Sequence, residues 1–184
     1  MKQTFLLLTA LCIMALAVLS CKKDKKEVLP PETQTGARTF GCLIDGEVFV
    51  PGGAQLSGGS LNCNYQEIDG DNYFRLVGNN ERDKKNRRSI GIFLYKKKLN
   101  KNSIYPLFEN FKDSIDYGRY IKMSDIPGDI NIYETKKAHQ GELFIKHLDT
   151  VQQIVSGTFW FDAVNERGEL VRVREGRFDM RYTR

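Results

Sequence analysis

The chain is poor in the residues on which most site chemistry depends. It has two histidines, one tryptophan and four cysteines among 184 residues. His139 and His147 fit no His-x-His or His-Glu-x-x-His spacing, which excludes the common histidine-based zinc sites and leaves a hydrolase triad only these two to draw on. Glu67, Asp69 and Asp71 do not fall at the alternate positions of a calcium loop. Asp113, Asp116 and Asp125 have no spacing that suggests a working carboxylate pair. No segment keeps helical periodicity over three turns, and there are no internal repeats. These absences set the expectation of a non-enzymatic protein with no metal and no cofactor.

The longest apolar run, Phe5–Leu19, has fifteen residues, the length of a signal-peptide core and short of the roughly 20 needed to span a bilayer. Lys2 precedes it, and the small Ser20 sits directly before Cys21. Val18-Leu19-Ser20-Cys21 resembles the lipobox of bacterial lipoproteins, although Leu19 is bulkier than the usual residue there; Cys12 follows the large Leu11 and fits less well. The resemblance implies cleavage before Cys21, a diacylglyceryl thioether and an acylated amine on that residue. More than one acyl chain gives stable membrane attachment where a single chain is marginal. Residue 22 is Lys rather than Asp, which points to the outer membrane and leaves the facing leaflet open. The expected organisation is a signal peptide over 1–20, a lipidated cysteine and flexible tether over 21–38, and one domain over 39–184. Extended, residues 22–38 reach about 55 Å.

The chain carries a formal charge of +5, or +4 without Lys2. A nucleic-acid partner is not expected, because the basic residues form two separate clusters. Arg82, Lys84, Lys85, Arg87 and Arg88 read as one loop; Lys96, Lys97, Lys98 and Lys101 fall at the far end of the following strand. Neither cluster interleaves aromatic residues for base stacking.

From residue 39 onward, period-two alternation punctuated by turn dipeptides marks antiparallel sheet. Asp45-Gly46 and Asp69-Gly70 read as two-residue hairpin turns. The second sets Tyr65 opposite Phe74, Cys63 opposite Leu76, and Asn64 opposite Arg75. Near the C-terminus, a three-residue loop Glu166-Arg167-Gly168 pairs Phe161 with Val173, Ala163 with Val171, Asp162 with Arg172 and Trp160 with Arg174. The outer face then gains an Asp162–Arg172 ion pair and a cation–π contact at Trp160. Beyond Val173 the buried parity moves to Phe178, Met180 and Tyr182, which requires a bulge near Glu175-Gly176. Between Asn100 and Asp129 the pattern fades; Ile104–Leu107 reads as a short edge strand because Pro106 cannot donate to a central ladder. The fold class is all-β: a single antiparallel β-sandwich or flattened barrel of roughly 8–10 strands, monomeric.

Several of these segments also resemble an uncharacterised Bacteroidetes lipoprotein family. They are the opening Thr39–Phe49 with its Asp-Gly turn, Gly141-Glu142-Leu143, Ser156-Gly157-Thr158-Phe159 and Glu175-Gly176-Arg177-Phe178-Asp179. Asn102–Leu107 departs from the family's Gly-Thr-Tyr-x-Leu run by lacking the glycine. The resemblance covers both ends of the domain better than the middle. It implies a β-rich, membrane-tethered protein and carries no catalytic residue to transfer.

Two candidate features remain. Cys42 and Cys63 fall on buried faces in an oxidising compartment, where they form either a disulfide closing a loop of about 20 residues or two buried free thiols. Trp160 faces away from a core that takes Phe159 and Phe161. With Arg172 and Arg174 beside it, it is the candidate binding face for a glycan or an envelope protein. A covering loop or N-terminal segment is the competing explanation for Trp160. The alternative functions are a structural subunit of a surface assembly, which calls for a long unprotected edge strand, and a hydrolase using His147, which calls for a nucleophile within hydrogen-bond reach.

Overall fold

The computed structural model describes residues 27–53, 59–110 and 114–184. The signal segment and Cys21 lie outside the described residues. The described residues form eleven strands: β1 Thr39–Ile44, β2 Glu47–Phe49, β3 Leu61–Ile68, β4 Asp71–Asn80, β5 Arg87–Leu94, β6 Ser103–Asn110, β7 Ser114–Met123, β8 Ile130–Glu134, β9 Gly141–Asp149, β10 Ile154–Val164 and β11 Leu170–Arg181. All strand pairings are antiparallel, in the order β2-β1-β11-β10-β9-β6-β7-β5-β4-β3, with β8 inserted between β7 and β10. The fold is all-β, with one strand more than the upper expectation.

The sheet curls back on itself. Thr183, just past β11, bonds β3 through Tyr65 N–H to its carbonyl (2.9 Å) and its own N–H to the Cys63 carbonyl (3.0 Å). At the other end of the order, Gly52 beyond β2 bonds Asn79 and Glu81 at the end of β4. Rings meet across the interior, Phe74 with Phe178 at 6.4 Å and Tyr65 with Tyr182 at 5.5 Å. The core includes Phe49, Leu76, Ile90, Ile92, Leu107, Leu143, Ile145, Phe161 and Val173, all fully buried.

The hairpins adopt the expected registers except at Trp160 and Arg174, which fall in a register slip of the β10–β11 ladder and are not paired. Asp45 and Gly46, then Asp69 and Gly70, hold the paired positive φ values of a type I′ turn, and Tyr65↔Phe74, Cys63↔Leu76 and Asn64↔Arg75 pair as read. In the last hairpin Phe161↔Val173, Asp162↔Arg172 and Ala163↔Val171 pair, and Gly168 takes the left-handed position. The bulge lies where the parity change requires it: the register slips between Phe159↔Gly176 and Phe161↔Val173, with Glu175 at φ +50°.

Three expectations need correction. Arg87 and Arg88 belong to β5 rather than to the preceding loop, where Arg87 bonds the Ser124 carbonyl and Arg88 approaches Glu47. The segment around Pro106 is part of an eight-residue strand that pairs with β9 over Ser103–Leu107 and with β7 only from Phe108 onward. Pro106 therefore sits where β6 is paired on one side, which suits a residue with no N–H.

The third correction concerns the tether. From Glu27 onward it is docked on the β domain, through ion pairs of Glu27 with Arg82 and of Glu32 with Lys146. Its anchor is Asp179 of β11, a carboxylate with no solvent exposure. Asp179 accepts bonds from Thr33 Oγ1 (2.6 Å), Gly36 N–H (2.7 Å), Thr35 N–H (2.9 Å) and Ala37 N–H (3.1 Å). Burial alone would raise its pKa, but these bonds to the ionised form outweigh it and hold the group below the usual carboxylate range.

Candidate functional site

Alternation along β10 buries Phe159 and Phe161 and turns Trp160 outward, where 38% of it is exposed. The indole is held from two sides. Its Nε1–H donates to Glu142 Oε2 at 3.2 Å, from the residue directly opposite on β9. The Arg174 guanidinium lies 5.4 Å from the ring centroid, the cation–π contact read from the sequence. Arg174 is itself fixed by the Val173 and Phe161 carbonyls at 2.8 and 3.1 Å and by Asp162 Oδ1 at 2.6 Å. It positions the indole and has little left to offer a ligand.

Trp160 borders an open groove of about 450 Å³. Phe144, Thr158 and Ile104 supply further contact surface, Arg177 a cation, and Glu32, Glu142 and Glu175 carboxylates. The docked N-terminal segment contributes Glu32 to the rim and leaves the indole partly open. Arg172 does not join this site. Its side chain is exposed, and its backbone exchanges bonds with Asp45 in the first hairpin turn. The expected Asp162–Arg172 ion pair is replaced by Asp162–Arg174. Arg172 stays opposite Asp162 in the register, and the guanidinium two residues on, at the register slip beyond Val173, reaches Asp162 instead.

Cys42 and Cys63 are both buried and free, so the disulfide is not formed. Cys42 sits on β1 opposite Phe49 and Cys63 on β3 opposite Leu76, and the end of β11 lies between the two strands. Burial pushes both thiols far above the ordinary range, which keeps them as inert thiols at neutral pH. A thiol-reactive maleimide is expected to leave both unmodified in the native protein and to label both in denaturant, read by mass spectrometry. Rapid labelling of either one under native conditions would contradict their placement.

His147 lies opposite Ser156 in the β9–β10 register. Ser156 Oγ is buried without a hydrogen-bond partner among the described residues, so the imidazole does not activate it. His139 closes a tight turn with Lys136. Asp116 is buried and accepts from Tyr95 N–H at 2.7 Å; burial raises its pKa, against the bond from Tyr95 and the nearby Lys97. Among the described residues, no group of three or more His, Cys, Asp or Glu is placed to hold a metal ion.

Comparisons with protein families, with curated proteins and with solved structures return no match. What the chain does must be read from its own surfaces.

A second outward surface has no counterpart in the sequence reading. β3, β4, β5 and β7, with Tyr95 just past the end of β5, together present Tyr73, Phe93, Tyr95 and Tyr117, with Asn64, Gln66 and Arg75 among them. Each strand contributes one or two of these residues, so no single segment stands out as aromatic-rich. Only the strand order assembles them.

Proposed function

We propose that this protein is a lipid-anchored, non-enzymatic glycan-binding module of the bacterial outer membrane, with the Trp160 groove as its site and Cys21 as its anchor. The carrying observation is the held indole: a tryptophan oriented by Glu142 and Arg174, partly open to solvent, beside a groove of ligand size. A rigid aromatic face flanked by carboxylates and a guanidinium suits a sugar, which offers C–H faces to a ring and hydroxyls to charged groups. With a lipid on Cys21, docking of the segment from Glu27 onward would hold the domain close to the bilayer. Only residues 22–26 separate Cys21 from that segment, a span of at most about 20 Å.

The surface-assembly alternative is less well supported. It calls for an open edge strand, and the outermost strand β3 is capped by Thr183 while the chain beyond β2 is bonded to β4.

The test is a thermal-shift screen of the full chain in detergent against oligosaccharides, with Trp160→Ala alongside. A ligand at about 100 times its dissociation constant stabilises by about 2.7 kcal/mol, or roughly 5–10 °C in a domain of this size. The shift should be present in the native chain and lost in the variant. A shift from a neutral oligosaccharide that persists in Trp160→Ala, with unchanged dissociation constant, would remove the groove from the reading.

A further inference from the structure

The outer face of β3, β4, β5 and β7 carries two adjoining rows of side chains fixed by the sheet register. One row runs Asn64, Arg75, Phe93, Tyr117 across four strands. The other runs Gln66 and Tyr73, with Tyr95 just past the end of β5 meeting Tyr73. The rings are locked to one another: Phe93 and Tyr117 stack at 4.7 Å with 19° between planes, and Tyr73 meets Tyr95 edge-on at 5.0 Å. Gly91 makes the first pair possible, because a Cβ there would lie 2.6 Å from the Phe93 ring. Arg119 lies over Tyr117 at 4.9 Å and over Phe93 at 5.4 Å, and its charge is answered by Glu134 at 2.6 Å.

Arg75 is different. It is exposed in the middle of the rings and amides, has no ion-pair partner among the described residues, and no carboxylate lines the surrounding depression of about 540 Å³.

We infer that this face is a second binding site, for an acidic glycan whose sugar rings pack on Phe93, Tyr95, Tyr73 and Tyr117 and whose carboxylate pairs with Arg75. Four strands at ~4.8 Å spacing give a platform about 14 Å long and two residues, ~7 Å, wide. That is on the order of 100 Å², far below the ~800 Å² per partner of a stable protein interface, and long enough for a short run of linked sugars. Gln66 offers a donor and an acceptor at the platform's edge, and Asn64, whose Nδ2 donates to Thr183 Oγ1, offers its Oδ1 as an acceptor, which matches sugar hydroxyls. The uncompensated guanidinium selects a carboxylate-bearing sugar over a neutral one, because a charge-assisted pair is the strong form of such a bond. The inference extends the glycan-binding reading, shares no residue with the Trp160 groove, and so can fail separately from it.

The test is native affinity electrophoresis of the full chain in detergent through gels containing polygalacturonate or a neutral cellulose ether. Polygalacturonate should retard the chain and the neutral polymer should do so far less. Arg75→Gln should weaken the acidic interaction about tenfold or more; Phe93→Ala and Tyr95→Ser should weaken it too, while Trp160→Ala and the loop variant Lys84→Gln retain it. Arg75 and Tyr95 are exposed, so their variants keep the core intact and remain informative if Phe93→Ala misfolds. Absence of retardation, an equal effect of the neutral polymer, or equal losses from Lys84→Gln and Arg75→Gln would each overturn the inference. Loss in Trp160→Ala with retention in Arg75→Gln would also overturn it while leaving the groove as the glycan site.

Discussion

Phe161→Ala is expected to destabilise the domain by about 3–5 kcal/mol, the range for removing a fully buried phenylalanine. Phe161 has no solvent exposure, faces Val173 across the β10–β11 ladder and stacks with Phe159 at 6.5 Å. Its ring also lies against Gly118 of β7 so closely that a Cβ there would sit 2.6 Å away. The side chain thus ties β10 to β7 where the sheet splays around β8, and little nearby can move into the space it would leave. At 2–4 °C per kcal/mol, the melting temperature should drop by about 6–20 °C. Denaturant unfolding with an unchanged m-value would show that stability alone is affected. A loss under about 1 kcal/mol would mean that the core around Phe161 is not packed as described.

Asp179→Ala should have the next largest effect. It strands the Thr33 hydroxyl and the Thr35, Gly36 and Ala37 N–H groups, and bonds to an ionised partner contribute about 1.5–3 kcal/mol each when single. The donors sit at the surface and regain water once the segment detaches, so the net loss is expected near 3 kcal/mol, with residues 27–38 becoming open to proteolysis. Acid should act in the same direction. The native pKa of Asp179 lies below its ordinary 3.8, so its contribution is complete above the unfolded-state value and disappears as pH falls through the native one. Native and Asp179→Asn proteins should therefore differ most in melting temperature above about pH 4 and converge below it. A difference that stays constant down to pH 2 would rule out the ionised carboxylate as the anchor.

These effects lie in parts of the molecule that differ in how far the sequence announces them. The hairpins were legible because Asp-Gly dipeptides fix turn type and apolar residues repeat at period two, so the Tyr65↔Phe74 and Phe161↔Val173 registers and the Glu175 bulge all followed. β7 was not, because its inward positions are Asp116, Gly118 and Tyr120, while Tyr117, Ile121 and Met123 face outward. Alternation is present there with its polarity inverted. The docking of residues 27–38 was hidden for a related reason: Thr33 to Ala37 reads as polar linker, and the burial of Asp179 that recruits it is a property of the folded strand. Trp160 and its contact with Arg174 were visible in the local alternation, whereas the choice of Arg174 over Arg172 as the partner of Asp162 is made by side chains that the register alone does not fix. The Tyr73, Phe93, Tyr95 and Tyr117 surface is a product of strand order, which brings β4, β5 and β7 together across intervening β6.

The chain has a single tryptophan, so its fluorescence reports on the groove alone. Titrating the full chain with oligosaccharides while following tryptophan emission is the most direct test of glycan binding at Trp160. A saturable change in intensity or wavelength, with the same dissociation constant as the thermal shift, is the expected result. A neutral oligosaccharide that binds and stabilises the chain while leaving the emission unchanged would contradict the assignment of the groove.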